Sequence, residues 1–306
     1  MAITLIENFR AVFYAPFYAT AALGAYEAEG MEVKMKMSAA ADKTLTTLTT
    51  GAGEVSWGGP LRIMAALDKD PKGGYVAFCE VVGRDPFFLL GRAPNPAFQL
   101  TDLIGKKLAT VSEVPTPWIC LQYDLRRAGI DPASITRAPQ RTMAENAAAL
   151  RSGEVDVIQV FQPYARQLVD DGAGHVWYAA ASRGPTSYTT FNTTRGFIEK
   201  NPDTVLRMTR AMYRTEKWIA AHDGQDLAEA IARYLPDIPR PVLAACCNDY
   251  KALGLWNHDP VVQRAGLEWL RDAMLAAGYI STRFTYEDCM DMRFAEQVVR
   301  EDPPSI

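Results

Sequence analysis

The feature that most constrains this chain is a junction that recurs along it: a short apolar strand, a loop rich in glycine, proline or aromatic residues, then a helix. The first junction runs from the strand Ile3-Thr4-Leu5-Ile6 through an aromatic loop, Asn8 to Tyr18, into a small-residue helix that ends near Gly24 to Gly30. The second runs from Val55-Ser56-Trp57 into Gly58-Gly59-Pro60, with Pro60 suited to the first turn of a helix over Leu61 to Leu67. The third joins a strand over Lys107 to Val111, a loop over Ser112 to Pro117 and a helix over Trp118 to Gly129. Strands that alternate with helices in this way predict an α/β fold. Sheets of that class place ligands at the carboxyl ends of their strands, which makes these three loops the candidate site.

A chain of 306 residues is long for one hydrophobic core, so two domains are expected. The stretch Arg92-Ala93-Pro94-Asn95-Pro96 suits a crossing between them, and Ser182 to Thr194 suits the return. The expected lobes are residues 1–92 with 190–306, and residues 93–189. Within the second, Thr142 with Glu145 three residues on reads as a capping box, and Gly153 stops the helix that follows. From Phe197 onward the pattern is helical almost to the end, and Asp302 to Ile306 reads as a frayed tail. Two α/β units, the first interrupted by the second, leave a cleft that can close about a small ligand.

Composition narrows the partners. The chain is 48% hydrophobic and 22% charged, which fits a folded globular protein and not a disordered one. Its formal net charge is −4 and no basic stripe with interleaved aromatics occurs, so nucleic acid is not an expected partner. The five cysteines, Cys79, Cys120, Cys246, Cys247 and Cys289, lack metal-like spacing, and neither a metal nor a cofactor is expected. No apolar run reaches the roughly 20 residues that cross a bilayer. Met1-Ala2 leads straight into the first strand without the pattern of a secretory leader, so the expected location is periplasmic if a leader was trimmed and cytoplasmic otherwise.

The candidate contacts fall on the junctions. Gly58 and Gly59 let a ligand approach backbone N–H groups at a helix start, although the same pair also makes an ordinary tight turn. The P-loop and dinucleotide fingerprints are both absent, so a nucleotide is not indicated. Asn8, Phe9, Tyr14, Trp57 and Tyr188 could hold a flat ligand with polar handles, while Phe13, Phe17 and Trp118 are assigned to packing. Ser112, Glu113 and Thr116 come from the third loop, and Phe161 with Gln162 from the end of the strand Val155 to Phe161. His175, His222 and His258 have no serine or cysteine in a nucleophile setting beside them, so no catalytic residue is nominated.

Taken together, Asn8, the turn Tyr14-Ala15-Pro16-Phe17-Tyr18 with Gly24 and Glu29-Gly30, the segment Leu103-Ile104-Gly105-Lys106-Lys107, and the strand Asp156 to Phe161 ending in Gln162-Pro163 resemble the substrate-binding proteins of nitrate, sulfonate and thiamine-precursor import systems, the NMT1/THI5-like family. The resemblance implies a type II periplasmic-binding-protein fold, two α/β lobes with a ligand cleft between them, and an ABC transporter permease as partner. It implies a solute-binding role for a small, planar, polar or weakly anionic molecule. The alternatives are a cytoplasmic enzyme similar to the thiamine pyrimidine synthases and a ligand sensor. Two departures stand out. Relatives that bind aminopyrimidines carry a glutamate where this chain has Gln162, and the synthases carry a histidine and a lysine in the helix that here reads Leu61-Arg62-Ile63-Met64-Ala65-Ala66. Cys246-Cys247 does not match their cysteine motif in place, which disfavours the enzymatic alternative.

Overall fold

The structure, a computed structural model, describes residues 2–306. Its strands are β1 (Ala2–Glu7), β2 (Glu32–Met37), β3 (Val55–Gly58), β4 (Tyr75–Val82), β5 (Phe88–Gly91), β6 (Lys107–Ala109), β7 (Thr136–Arg137), β8 (Val157–Val160), β9 (His175–Ala179) and β10 (Thr189–Thr194). They form two five-stranded sheets, ordered β2-β1-β3-β10-β4 and β7-β6-β8-β5-β9. In each, the first three strands are parallel and the fourth runs antiparallel to both its neighbours. That fourth strand follows a crossing in both cases: β5 follows the outward crossing and β10 the return. The two lobes are built on one plan.

Sequence explains where each strand lies. β1 buries Ile3, Leu5 and Ile6, so it is covered on both faces and occupies an interior position. β2 alternates charged and apolar residues and stays largely exposed at the sheet edge, where its charges discourage pairing with another chain. Trp57 on β3 is fully buried, its indole stacked on Phe17 with ring centroids 4.6 Å apart and planes 16° apart. Phe191 on β10 meets Phe17 edge-on from the neighbouring strand at 5.0 Å. These rings form the floor beneath the carboxyl ends of the central strands.

The crossings lie at residues 83–87 and 180–188, not at Arg92 to Pro96. β5 pairs with β8 and β9, so residues 88–91 belong to the second sheet and the proline-rich stretch is a loop inside the second lobe. The chain turns through Gly83 and Asp85, and the continuous apolar run of β5 hid that turn. The two crossings bond to each other, through Thr186 N–H to the Gly83 carbonyl at 2.8 Å and Ala180 N–H to the Phe87 carbonyl at 2.9 Å. Arg183 on the return crossing donates to Asp85 on the outward one at 2.7 Å and to Asp124 on the helix Thr116–Arg127 at 3.0 Å, and its guanidinium lies 4.8 Å from the centroid of Trp269. Both crossings and both lobes therefore meet at one buried cation.

The helical reading of the last third holds: helices span Pro202–Ala221, Gly224–Ile231, Arg240–Ala252 and Arg264–Ala276. The tail is not frayed. Lys217 bonds to Asp302 and to the Pro303 carbonyl, and Arg214 donates to the Pro304 carbonyl at 3.0 Å. Cations one turn apart on a long helix hold a segment whose own composition gives it no regular structure.

Candidate functional site

Where β1 ends, Asn8 turns into the cleft and is buried. Its amide nitrogen donates to the Tyr14 hydroxyl at 2.8 Å, and its amide oxygen accepts from Arg62 Nη1 at 3.1 Å. The same Arg62 nitrogen approaches the Thr44 hydroxyl at 3.4 Å. Arg62 lies in the first turn of the helix Pro60–Lys69, directly after the glycine junction, and Tyr14 closes a short turn ahead of the helix Ala15–Ala22. Three strand-to-helix junctions of one sheet thus contribute to one connected polar surface, as their position at strand carboxyl ends requires.

The charge on this surface is unbalanced. Among the described residues, no carboxylate lies within 4.0 Å of the Arg62 guanidinium. Burial lowers its pKa, yet an arginine stays cationic under any condition in which the chain is folded. Tyr14 is pushed up to about 12 by burial, so its phenol remains a protonated donor while accepting from Asn8. The Tyr188 hydroxyl is buried and unpartnered. A cation without a counter-ion beside a hydroxyl without a partner can pair with an anion.

The second lobe closes over it. Val114 and Thr116 complete a chamber with Asn8, Phe9, Tyr14, Gly59, Arg62 and Tyr188, whose volume is about 20 Å³. Gly59 has a steric reason as well: a Cβ there would lie 2.9 Å from the Tyr188 carbonyl oxygen. Two grooves flank the chamber. One, of about 250 Å³, shares Leu61 and Arg62 with it and is bordered by Asp42, Lys69, Glu113 and Tyr279. The other, of about 480 Å³, shares Phe9 with it and is bordered by Phe161, Tyr164, Tyr234 and Ile238.

The structure thus brings Asn8, Phe9, Tyr14, Gly59, Thr116 and Tyr188 together, and sets the other candidates elsewhere. Trp57 lies in the floor beneath the site, out of reach of a ligand. The Gly58 carbonyl is taken up by the Thr190 hydroxyl at 3.3 Å and the Asn192 amide at 3.2 Å. Ser112 is exposed, its N–H bonded to the Arg141 carbonyl at 3.0 Å. Glu113 accepts from Met143 N–H at 2.8 Å, the use of a loop carboxylate at a helix start, and borders only the groove of about 250 Å³. Phe161 packs against Phe13 and Phe87 at 5.1 and 5.2 Å and faces the groove of about 480 Å³. Gln162 is buried, but its amide is already used: its nitrogen donates to Asp249 at 2.9 Å and its oxygen accepts from Arg166 N–H at 2.8 Å.

Two contributors escaped the sequence reading. Phe13, assigned to packing, lines the chamber while nearly fully buried. Arg62 was passed over, although a lone cation in the first turn of a helix otherwise faced with Leu61, Ile63 and Met64 was visible in the sequence. All five cysteines are buried, and burial pushes their thiols up.

Two α/β lobes of matching strand order, two bonded crossings and a chamber walled by both lobes define the type II periplasmic-binding-protein fold. Residues 96–235 match the model of the NMT1-like family. It is 26% identical over 304 residues to YtlA of Bacillus subtilis (strain 168), described as a binding protein, an alignment that covers 98% of this chain and 90% of that one. In structure it is similar to the periplasmic aliphatic sulphonate binding protein SsuA of Escherichia coli, with a TM-score of 0.76 at 16% identity over 94% of this chain and 96% of that one. It is also similar to the desulfurization enzyme DSZB, with a TM-score of 0.69 at 14% identity over 99% of both chains.

Proposed function

We propose that this chain binds a small organic anion between its lobes as the solute-binding component of an ABC-type import system, and does no chemistry on it. The observation that carries this reading is Arg62, a partly buried guanidinium that faces the interlobe chamber with no carboxylate within 4.0 Å. An anion there would gain a charge-assisted bond to Arg62 and the hydroxyl donors of Tyr14 and Tyr188, and closing the second lobe would strip water from all of them. The SsuA relative, named for aliphatic sulphonates, supports an anionic class, and its periplasmic setting is the one this reading adopts. The transporter permease is then the protein partner.

The enzymatic alternative draws little from the site. The residues that line the chamber include no thiol or imidazole, and the buried thiols elsewhere are held protonated. A calorimetric and thermal-shift screen of sulfonates, carboxylates, aminopyrimidines and neutral sugars tests the proposal. Anions alone should raise Tm, because binding to the folded state stabilises it by mass action. A shift produced by aminopyrimidines and by no anion would contradict it, and so would turnover of the bound anion.

A further inference from the structure

Four carboxyl groups are buried among the described residues, and three of them have a partner. Glu7 faces Arg10 at 3.5 Å, Glu80 accepts from the Asn257 amide at 2.7 Å, and Asp85 accepts from Arg183 at 2.7 Å. The fourth is Glu216, on the helix Pro202–Ala221. It is 1% exposed, and among the described residues neither of its oxygens has a hydrogen-bond partner and no cation lies within 4.0 Å. A carboxyl group left this way costs stability, and nothing in the packing of the helix recovers that cost.

Glu216 borders a pocket. With Ile219 and Ala220, three and four residues on, it lies on one face of its helix, and these three form one wall of a cavity of about 240 Å³. The other walls are Lys251, from the helix Arg240–Ala252, and residues of the segment from Gly254 to His258. Ala220 and Gly254 are exposed and have no side chain long enough to bar the mouth. The pocket and the interlobe chamber share no lining residue. They meet only back to back, where the Trp256 indole N–H of the pocket donates to the carbonyl of Phe13, a chamber residue, at 2.9 Å.

Lys251 supplies the opposite charge. Its ammonium bonds to the carbonyls of Ile219 and His222 at the end of the helix that carries Glu216, and no carboxylate lies within 4.0 Å of it. An acid and an ammonium thus border one cavity without pairing with each other. A simple cation would satisfy Glu216 and meet Lys251 as a like charge, and a simple anion would leave Glu216 unpartnered. A molecule that carries both charges answers both groups.

We propose that this pocket is a second ligand site, and that its occupant is a small aliphatic zwitterion of the amino-acid type, with its ammonium on Glu216 and its carboxylate on Lys251. The site is independent of the anion-binding reading of the chamber. Its volume is below the roughly 300–1,000 Å³ of sites for larger organic ligands, which limits the occupant to a few heavy atoms between its charges. Ile219 and Trp256 give apolar cover to the methylene groups of that spacer. Burial, with Asp259 and Glu80 nearby, pushes the Glu216 carboxyl well above its ordinary pKa, so the empty pocket favours its protonated form. The arriving ammonium takes the place of that proton, which leaves to solvent.

Titration calorimetry on the full chain tests this with glycine, β-alanine and γ-aminobutyrate, and with ethylamine and propionate as single-charge controls. The same titrations in Arg62→Met exclude binding through the cleft. At least one zwitterion should bind at least tenfold more tightly than either control, and its affinity should stay within about twofold in Arg62→Met. Glu216→Gln, which keeps the shape of the protonated acid, and Lys251→Met, which keeps the length of the side chain, should each remove at least tenfold of that affinity, with a cooperative thermal transition reporting that each variant is folded. Failure of all three zwitterions to bind, or undiminished binding in both pocket variants, would overturn the proposal and leave the chamber reading standing. Ethylamine or propionate binding as tightly as the best zwitterion would overturn it too, and so would binding that disappears in Arg62→Met, which would place the zwitterion in the cleft.

Discussion

Arg62 is a partly buried guanidinium and Arg183 a nearly fully buried one, and the protein satisfies them in opposite ways. Arg183 is enclosed at the crossings with Asp85 at 2.7 Å, Asp124 on its other edge and the face of Trp269 over it. Arg62 is enclosed at the cleft with an amide oxygen at 3.1 Å, a hydroxyl at 3.4 Å and no carboxylate. The first cation is complete and structural. The second is incomplete, and an arginine cannot escape the deficit by losing its proton as a buried carboxyl group can by gaining one. The difference separates a joint from a binding site on grounds that need no ligand to be present.

The largest expected effect breaks the joint. Arg183→Met leaves Asp85, fully buried, without its cation, and should cost about 3–5 kcal/mol in urea unfolding. A loss below about 1 kcal/mol would mean that the clamp is not structural and would erase the contrast with Arg62.

A somewhat smaller effect sharpens the comparison by showing how a buried acid without a cation beside it behaves. Glu80 accepts from the Asn257 amide at 2.7 Å, and burial raises its pKa to about 7 from an ordinary 4.5. Between those values the folded chain holds a proton that the unfolded chain has released. Its contribution is therefore complete below about pH 4.5 and is lost as pH rises through 7, a fall of up to about 3 kcal/mol. Urea titrations at pH 5 and pH 8 should show this difference, and Glu80→Gln should reduce it. A slope that persists unchanged in the variant would assign the pH dependence elsewhere.

The smallest effect separates cleft from scaffold. Gln162 spends its amide on Asp249 and the N–H of Arg166, so Gln162→Ala should cost about 1–2 kcal/mol of stability and leave anion affinity within about twofold. A tenfold loss of affinity at unchanged stability would return Gln162 to the site.

Much of the fold was legible because its signals are local. The capping box of Thr142 and Glu145 is present as expected, with Thr142 N–H bonded to Glu145 at 2.8 Å, and Pro60 does open its helix. The crossing was misplaced because residues Pro86 to Gly91 read as one apolar strand, and nothing in that run says which sheet it joins. Pairing partners are set by tertiary geometry that a single strand does not encode. The site divided in the same way. Asn8 and Tyr14 were readable from their junction, whereas Trp57 and Gln162 share that setting and face inward. Whether a side chain at a strand end points to the cleft or to the floor depends on one residue of register. Arg62 lies two residues beyond Pro60, past the end of the second loop.

The central claim is that Arg62 is held without a counter-ion so that an anion can supply one. The direct measurement compares Arg62→Met with the unmodified chain in thermal unfolding, with and without a bound sulfonate or carboxylate. The account predicts that the variant alone unfolds at the same temperature or higher, because an unpaired, partly desolvated charge has been removed. It also predicts loss of the anion-induced shift, with affinity weakened about ten- to a hundredfold, or about 1.4–2.7 kcal/mol. A variant that is strongly destabilised yet keeps the full anion-induced shift would contradict it, and would make Arg62 a second structural cation like Arg183.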